Sequence, residues 1–147
     1  MKELSVPIKL EEGAEPPTYG SQQAAGADIR AFLKEEVVLS VGESKLIRTG
    51  IQVEIPKGFE IQVRPRSGLA LKHGITVLNT PGTVDSDYRG EIGVILINHG
   101  KDPFVVTPNM RIAQLVFAPV YQPCYVKQEI LNTTSRGEKG FGHTGTH

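Results

Sequence analysis

The sequence predicts an all-β sandwich or barrel with one short helix. The first observation is the alternation of apolar and polar side chains in residues 51–55 and 59–63, a pattern typical of strands with one buried face. The second is the abundance of turn formers, with 16 glycines and 10 prolines among 147 residues. Short strands separated by frequent turns indicate a sandwich or a barrel.

The two alternating runs flank Pro56-Lys57-Gly58, a turn signal that predicts a β-hairpin. A helix of about two turns is predicted at residues 67–73, with Ser67 as its cap and Gly74 closing its end. Further strands are predicted at residues 36–41, 45–48, 74–78, 91–98, 104–107, 111–120 and 125–130.

Two of these strands are apolar on both faces, which is unusual for a sandwich strand with one wet face. In residues 91–98, Ile95 and Ile97 oppose the other apolar side chains, and in residues 111–120 Ile112 and Val116 do so. Burial of the second face against another subunit and central burial within one chain both explain the pattern, and the sequence leaves the two open.

Composition limits the classes of function. A length of 147 residues predicts one domain. The 16 basic and 16 acidic residues balance, so we expect no broad surface for nucleic acid. No run of about 18 apolar residues and no signal-peptide pattern is present, so we expect a soluble protein that does not enter a membrane. The single cysteine, Cys124, suits a reducing compartment, and a cytoplasmic location is the default.

The C-terminal residues 132–147 have no periodicity and are rich in Gly, Thr and Ser. They predict a flexible arm that follows a β-barrel domain formed by residues 1–131. Arg136 and Phe141 stand among the glycines of this arm. A lid that a ligand orders and a plain mobile terminus are both consistent with the segment.

Three segments carry candidate chemistry. Residues 64–69 place Arg66 and Ser67 at the start of the predicted helix, where free N–H groups favour a phosphate, although a helix cap by Ser67 and a surface ion pair of Arg66 are the simpler explanation of this segment alone. Residues 79–90 are dense in turn formers and place Asp85 and Asp87 two apart, with an Asx-turn as the simpler explanation. An EF-hand is excluded because Arg89 falls at a ligand position. Glycines in the arm can turn N–H groups towards an anion, but no Walker motif is present.

Two further segments, residues 25–31 and 111–115, join these three, and the five together resemble the five short motifs of the dUTPase family, in the family's order along nearly the whole chain. Many members carry Ser where this chain has His143, and Val84 stands where Ile is usual. The five motifs are AGADIRA at residues 25–31, RPRSGLA at 64–70, GTVDSDYRGE at 82–91, RIAQL at 111–115 and RGEKGFGHTG at 136–145.

The resemblance implies a jelly-roll-like β-barrel that assembles as a homotrimer, with three subunits sharing each active site and each arm crossing to a neighbour. It implies hydrolysis of dUTP to dUMP and pyrophosphate with Mg²⁺, which limits uracil in DNA and supplies dUMP for dTMP synthesis. Asp85 is then the catalytic carboxylate, which binds the 3′-OH and holds or deprotonates the attacking water. Asp28 is implied as an outer-shell carboxylate that reaches Mg²⁺ through water.

The remaining site residues are likewise implied by the resemblance. Phosphate oxygens are expected at Arg66, Ser67 and Gly68, with the Gln114 amide added from a neighbouring subunit. The uracil edge is expected at the Asn79 amide and at the backbone of the hairpin that ends at Asp85, which includes Gly82, Thr83 and Val84. Tyr88 would lie under the deoxyribose, Arg136 would clamp the terminal phosphate, and Phe141, followed by Gly142, would stack over the uracil.

Two other functions remain to be separated from this one. A dCTP deaminase shares the fold and much of the nucleotide-binding pattern, but the run DSDYRG at residues 85–90 and the complete glycine-rich tail are more similar to a dUTPase. A catalytically silent barrel that binds nucleotides or a protein would lack the carboxylate or the arm, whereas Asp85 and Phe141 are both present.

Overall fold

The structure is a computed structural model and describes residues 2–147. Within these residues the chain forms twelve short strands and one helix. In chain order they are β1 (Ile8–Leu10), β2 (Thr18–Tyr19), β3 (Gly26–Arg30), β4 (Val37–Leu39), β5 (Ser44–Arg48), β6 (Ile51–Val53), β7 (Phe59–Arg64), α1 (Ser67–His73), β8 (Ile75–Val77), β9 (Gly82–Val84), β10 (Gly93–Asn98), β11 (Phe104–Val106) and β12 (Arg111–Pro119).

The strands form four antiparallel sheets that enclose one apolar core. The largest sheet has the order β2-β3-β12-β7-β9, and a second has the order β5-β10-β8. Two pairs, β1-β6 and β4-β11, complete the enclosure. Alternate side chains of β7 and β10 enter the core, where Val94 and Leu96 are at most 1% exposed. The predicted all-β architecture with one short helix is confirmed, and none of the helices in residues 2–147 is long and apolar enough to span a membrane.

The predicted hairpin across Pro56-Lys57-Gly58 is wrong. Strand β6 pairs with β1, whereas β7 pairs with β12 and β9 in a different sheet. Ile55 is buried at 2% exposure and the N–H of Phe59 bonds to the carbonyl of Pro56, so the chain turns while it crosses from one sheet to the other. Both runs alternate because each presents one face to the same core.

The predicted strand at residues 125–130 is also wrong for the single chain. The last bond from this region to the body joins the N–H of Val120 to the carbonyl of Gly58, and residues 121–131 are exposed. No sheet edge within residues 2–147 pairs with them, so β-propensity alone does not make a strand. The remaining predicted strands match β4, β5, β8, β10, β11 and β12 within a few residues, while β1, β2, β3 and β9 lacked a sequence signal long enough to predict them.

The helix lies where it was predicted, but its N-cap residue is not the predicted Ser67. The N-cap residue of α1 is Arg66, with extended backbone and no capping side-chain bond, so Ser67 is the first helical residue instead. At the other end Gly74 adopts φ 66° and its N–H bonds to the carbonyls of Ala70 and Leu69, as predicted. A left-handed turn of this kind favours glycine because it has no Cβ.

The strands with two apolar faces have different explanations. In β12 a register shift between Arg111 and Ala113 turns both Ile112 and Ala113 into the core, so Ile112 is buried within its own chain. In β10, Ile95 and Ile97 stay half-buried on the outer face of their sheet. Ile95 pairs with Leu46, which is 66% exposed, so this outer face remains apolar in the single chain.

Candidate functional site

A cleft of about 220 Å³ opens beside β9 and the turn that follows it. Its walls come from β7, the chain before and after β9, and the approach to β10. Residues predicted for the site and found in this lining are Asn79, Gly82, Thr83, Val84, Asp85 and Tyr88. Four further lining residues were not predicted from the sequence, although Glu91 closes the third motif: Val63, Glu91, Ile92 and Gly93.

Asp85 is the first residue beyond β9, and it is exposed at the cleft. Val84 is only 7% exposed and pairs with Ile61. Because side chains alternate along a strand, the next residue, Asp85, faces away from the core. The N–H of Tyr88 bonds to the carbonyl of Asp85 at 3.2 Å and closes a turn there. The Asp85 carboxylate takes part in no ion pair within residues 2–147, so both oxygens remain available as acceptors.

Tyr88 folds back over its own turn. Its hydroxyl donates to the backbone carbonyl of Glu91 at 2.8 Å. A Cβ added at Gly90 would lie 2.5 Å from Cζ of Tyr88, so the ring occupies space that only glycine leaves open. The ring therefore forms a fixed wall of the cleft three residues after Asp85.

Arg48 on β5 forms a bidentate pair with Glu91, with Nε to Oε2 at 3.1 Å and Nη2 to Oε1 at 2.7 Å. It also pairs with Glu11, and its guanidinium lies 5.3 Å from the ring centroid of Phe32. Hydrogen bonds that Arg48 donates to Glu91 and then to Glu11 raise the pKa of Arg48 above its ordinary value, so the guanidinium stays charged. The network ties the N-terminal segment to the wall of the cleft.

A second group of predicted residues surrounds Asp28 on β3. Arg66 pairs with one oxygen of Asp28 at 3.1 Å, and Arg111 pairs with the other at 3.3 Å. Gln114 lies opposite Asp28 on β12 and donates from its amide to the carbonyl of Pro65 at 3.0 Å. Ser67 and Gly68 are exposed beside this group at the start of α1. Arg111, which opens the fourth motif but was not predicted as a site residue, joins the group.

Asp28 is the residue predicted to reach Mg²⁺ through water. No three His, Cys, Asp or Glu side chains converge on a metal-binding position within residues 2–147. A carboxylate offers about four lone-pair directions. Asp28 uses its two oxygens for Arg66 and Arg111 and can still accept hydrogen bonds from metal-bound water. Its arrangement therefore fits an outer-shell role.

The arm residues lie apart from both groups. Arg136 bonds from Nε to the carbonyl of Lys139 at 2.8 Å, within the arm itself. The Phe141 side chain is fully exposed, with φ 51°, and Gly142 follows with φ 88°. Neither the cleft beside β9 nor the Asp28 group includes an arm residue.

Comparison with known proteins decides the family. The dUTPase family model matches residues 12–145. The chain belongs to the dUTPase family. The deoxyuridine 5′-triphosphate nucleotidohydrolase of Chlamydia pneumoniae is 60% identical over 143 residues, which cover 97% of this chain and 99% of that protein. The enzyme of the same description from Fusobacterium nucleatum is 54% identical and covers 99% of each chain.

Solved structures of dUTPases share the fold. The dUTPase of Staphylococcus bacteriophage 80alpha with dUPNHPP superimposes with a TM-score of 0.87 at 27% identity, covering 97% of this chain and 99% of that one. A phage phi11 dUTPase variant, described for its coordination of a structural Mg(II) ion, has a TM-score of 0.76 at 23% identity, covering 86% of this chain and 98% of that one. The expected jelly-roll-like β fold, the family and the assignment as a dUTPase-type enzyme are confirmed.

Proposed function

We propose that the chain hydrolyses dUTP to dUMP and pyrophosphate, with Mg²⁺, by attack of water at the α-phosphorus. The observation that carries the proposal is Asp85, a carboxylate with no ion-pair partner within residues 2–147, at the edge of a cleft lined largely by the third dUTPase motif. Turnover of dUTP would limit uracil in DNA and supply dUMP for dTMP synthesis.

Uracil is proposed to bind along β9, where backbone groups of Gly82, Thr83 and Val84 and the amide of Asn79 line the cleft. A Cβ at Gly82 would lie 3.2 Å from Nδ2 of Asn79, so the missing side chain leaves the amide free to sit against the strand. Such a narrow edge recognises the base and rejects a 5-methyl group by shape, as a tight pocket rejects added bulk. Tyr88 would lie under the deoxyribose.

The triphosphate is proposed to bind at Arg66, Ser67 and Gly68, with the amide of Gln114 beside them. Arg66 is half-buried and is held on Asp28 at 3.1 Å, so its guanidinium is already oriented before a phosphate binds. Charge-assisted bonds from such a group to phosphate are among the stronger hydrogen bonds. Mg²⁺ would neutralise charge on the leaving pyrophosphate, with Asp28 bonding to its waters.

The proposed reaction is a simple displacement. Asp85 binds the 3′-OH and accepts a proton from water, the water oxygen forms a bond to the α-phosphorus, and the bond from that phosphorus to the bridging oxygen breaks. The bridging oxygen leaves with pyrophosphate. A positioned general base contributes about 10²–10⁴ in rate.

Each site is proposed to be built by several copies of the chain in a homotrimer. The predicted residues fall into the β9 cleft, the Asp28 group and the arm, and neither the β9 cleft nor the cleft between Arg64 and Gln114 contains all of them. Under this proposal residues 1–131 form the barrel and residues 132–147 are the flexible arm, which brings Arg136 to the terminal phosphate and Phe141 over the uracil of a neighbour.

The proposed partners are dUTP and other copies of the chain, with no nucleic acid and no membrane. The 16 basic residues are balanced by 16 acidic ones, so phosphate recognition rests on local groups such as Arg66. Cys124 is exposed and unpaired within residues 2–147, which supports a cytoplasmic location.

The test is pyrophosphate release from each deoxynucleoside triphosphate, with and without Mg²⁺. We expect pyrophosphate release from dUTP and from none of the other nucleotides, and only when Mg²⁺ is present. Asp85→Asn should bind dUPNHPP but turn over at least about 10²-fold more slowly. Asp87→Asn, two residues away and outside the cleft lining, is the matched control and should remain active. Ammonia release from dCTP, or untouched dUTP with ample metal, would overturn the proposal.

A further inference from the structure

We propose that Arg48 is a positioning residue that sets the preference for deoxyribose over ribose. It acts by holding Glu91 and, through Glu91, the ring of Tyr88. The inference rests on the proposed function, because it concerns the sugar pocket of that site. No sequence motif contains Arg48, which lies on β5 in a different sheet from β9.

The first step runs from Arg48 to the Glu91 side chain. Arg48 pairs in register with Gly93 at the start of β10, so its guanidinium faces the segment that leads into that strand. Both carboxylate oxygens of Glu91 accept from it, at 2.7 and 3.1 Å. A planar guanidinium bound through two bonds fixes the direction of the carboxylate as well as its distance.

The second step runs from the Glu91 backbone to Tyr88. The Glu91 carbonyl accepts the Tyr88 hydroxyl at 2.8 Å. The next residue is fixed on both sides, because Ile92 donates to the carbonyl of Ile51 at 2.8 Å and accepts from the hydroxyl of Thr49 at 2.5 Å. With Ile92 held by the sheet and the Glu91 side chain held by Arg48, the carbonyl that receives Tyr88 has little freedom to rotate.

The position of the Tyr88 ring depends on this hydrogen bond. Tyr88 is 45% exposed, so core packing does not hold its ring. Within the described residues, its hydroxyl forms one hydrogen bond, the one to the Glu91 carbonyl. Exclusion of an added hydroxyl is only as strong as the pocket is rigid. Ion pairs as exposed as this one contribute little to stability. The network should therefore influence selectivity more than folding.

The experiment compares kcat/KM for dUTP and UTP in Arg48→Met and in the matched control Glu11→Gln. Glu11 contacts the same guanidinium but, within residues 2–147, forms no hydrogen bond with Glu91 or Tyr88. We expect Arg48→Met to lower the dUTP/UTP ratio about tenfold, chiefly by raising turnover of UTP, since rejection by a loosened pocket falls by that order. Glu11→Gln should keep the ratio. Arg48→Lys should restore the charge but only part of the ratio, because one ammonium replaces two fixed bonds.

A double-mutant cycle separates positioning from a general structural effect. If Arg48 acts through the Tyr88 hydroxyl, Arg48→Met should change the ratio little in a Tyr88→Phe background. Equal effects of Arg48→Met in both backgrounds would overturn the inference. Glu91→Gln, which weakens the same link, replaces Arg48→Met if that variant does not fold, and an unchanged ratio there would also overturn it.

Binding keeps this result distinct from the proposed function. Affinities for dUPNHPP and its ribose counterpart, measured by calorimetry, report the same ratio without turnover. If the wild-type chain prefers the deoxy analogue but hydrolyses no dUTP, the proposed function fails while the inference is still tested by the variants. If Arg48→Met leaves the binding ratio unchanged, the inference fails whatever the activity.

Discussion

Gly26 on β3 lies against the side chain of Gln114 on β12. A Cβ added at Gly26 would be 2.9 Å from Cδ of Gln114, and closer still to its Oε1. The glycine of the first motif thus makes room for the glutamine of the fourth. This contact links two segments that are 88 residues apart in the chain and that the phosphate site is proposed to use together.

Gly26→Ala should displace the Gln114 amide and weaken triphosphate binding. We expect KM for dUTP to rise by about tenfold, the cost of losing one charge-assisted hydrogen bond. Gly20→Ala is the control, because no atom lies within 4 Å of its added Cβ. Steady-state kinetics on both proteins check the prediction, and an unchanged KM in Gly26→Ala would show that Gln114 does not contact the phosphates.

Gly90→Ala should push the Tyr88 ring out of its place. The added Cβ would lie 2.5 Å from Cζ, so the ring must move or the turn must distort. We expect kcat/KM for dUTP to fall at least about tenfold with a small change in melting temperature, because the ring is outside the core. Kinetics and thermal unfolding measure the two effects. Full activity in this variant would show that Tyr88 is not part of the substrate pocket.

Asn98→Ala should destabilise the fold without touching the site. Asn98 is fully buried, donates to the carbonyls of Leu39 and Asp102 at 3.0 and 2.9 Å, and accepts from the N–H of Gly100 at 2.8 Å. Leaving these groups unpaired should cost about 2–4 kcal/mol. Urea unfolding provides the measurement, with the exposed Asn132→Ala as control. A loss of less than about 0.5 kcal/mol, the usual range for surface changes, would contradict this role.

Leu46→Glu should weaken the proposed trimer. Leu46 is 66% exposed and pairs with Ile95 on an apolar outer face that a neighbouring copy would cover. A charge buried there without a partner is costly, so sedimentation at micromolar concentration should show dissociation. Lys57→Glu, in an exposed turn, introduces the same carboxylate and should leave assembly intact. If the wild-type protein sediments as a monomer, the proposed trimer is wrong.

Sequence patterns predicted the fold class and most strands because alternation and turn residues are local signals. They failed at residues 51–63, where two strands alternate identically yet belong to different sheets, and at β3, whose Gly26 and Asp28 have low strand propensity. They also failed at residues 125–130, which have strand propensity but pair with no sheet edge in the part of the chain that the structure describes.

The site was predictable where a motif is contiguous, as from Gly82 to Tyr88, which the cleft brings together. The pair between Arg48 and Glu91 was not predictable, because the two residues are 43 positions apart and no sequence pattern connects them. The arm stays a prediction, since nothing in a single chain decides where Arg136 and Phe141 bind.

The central claim is that the Asp85 carboxylate of one copy and the arm of another complete the same site. The most direct test mixes two inactive proteins, Asp85→Asn and a chain truncated after Ile130, and exchanges their subunits by reversible denaturation. Shared sites predict that dUTP hydrolysis returns in the mixed trimers, because some sites combine an intact Asp85 with an intact arm. A mixture that exchanges subunits but stays inactive would contradict the claim, since it would place the arm and Asp85 of each site on one chain.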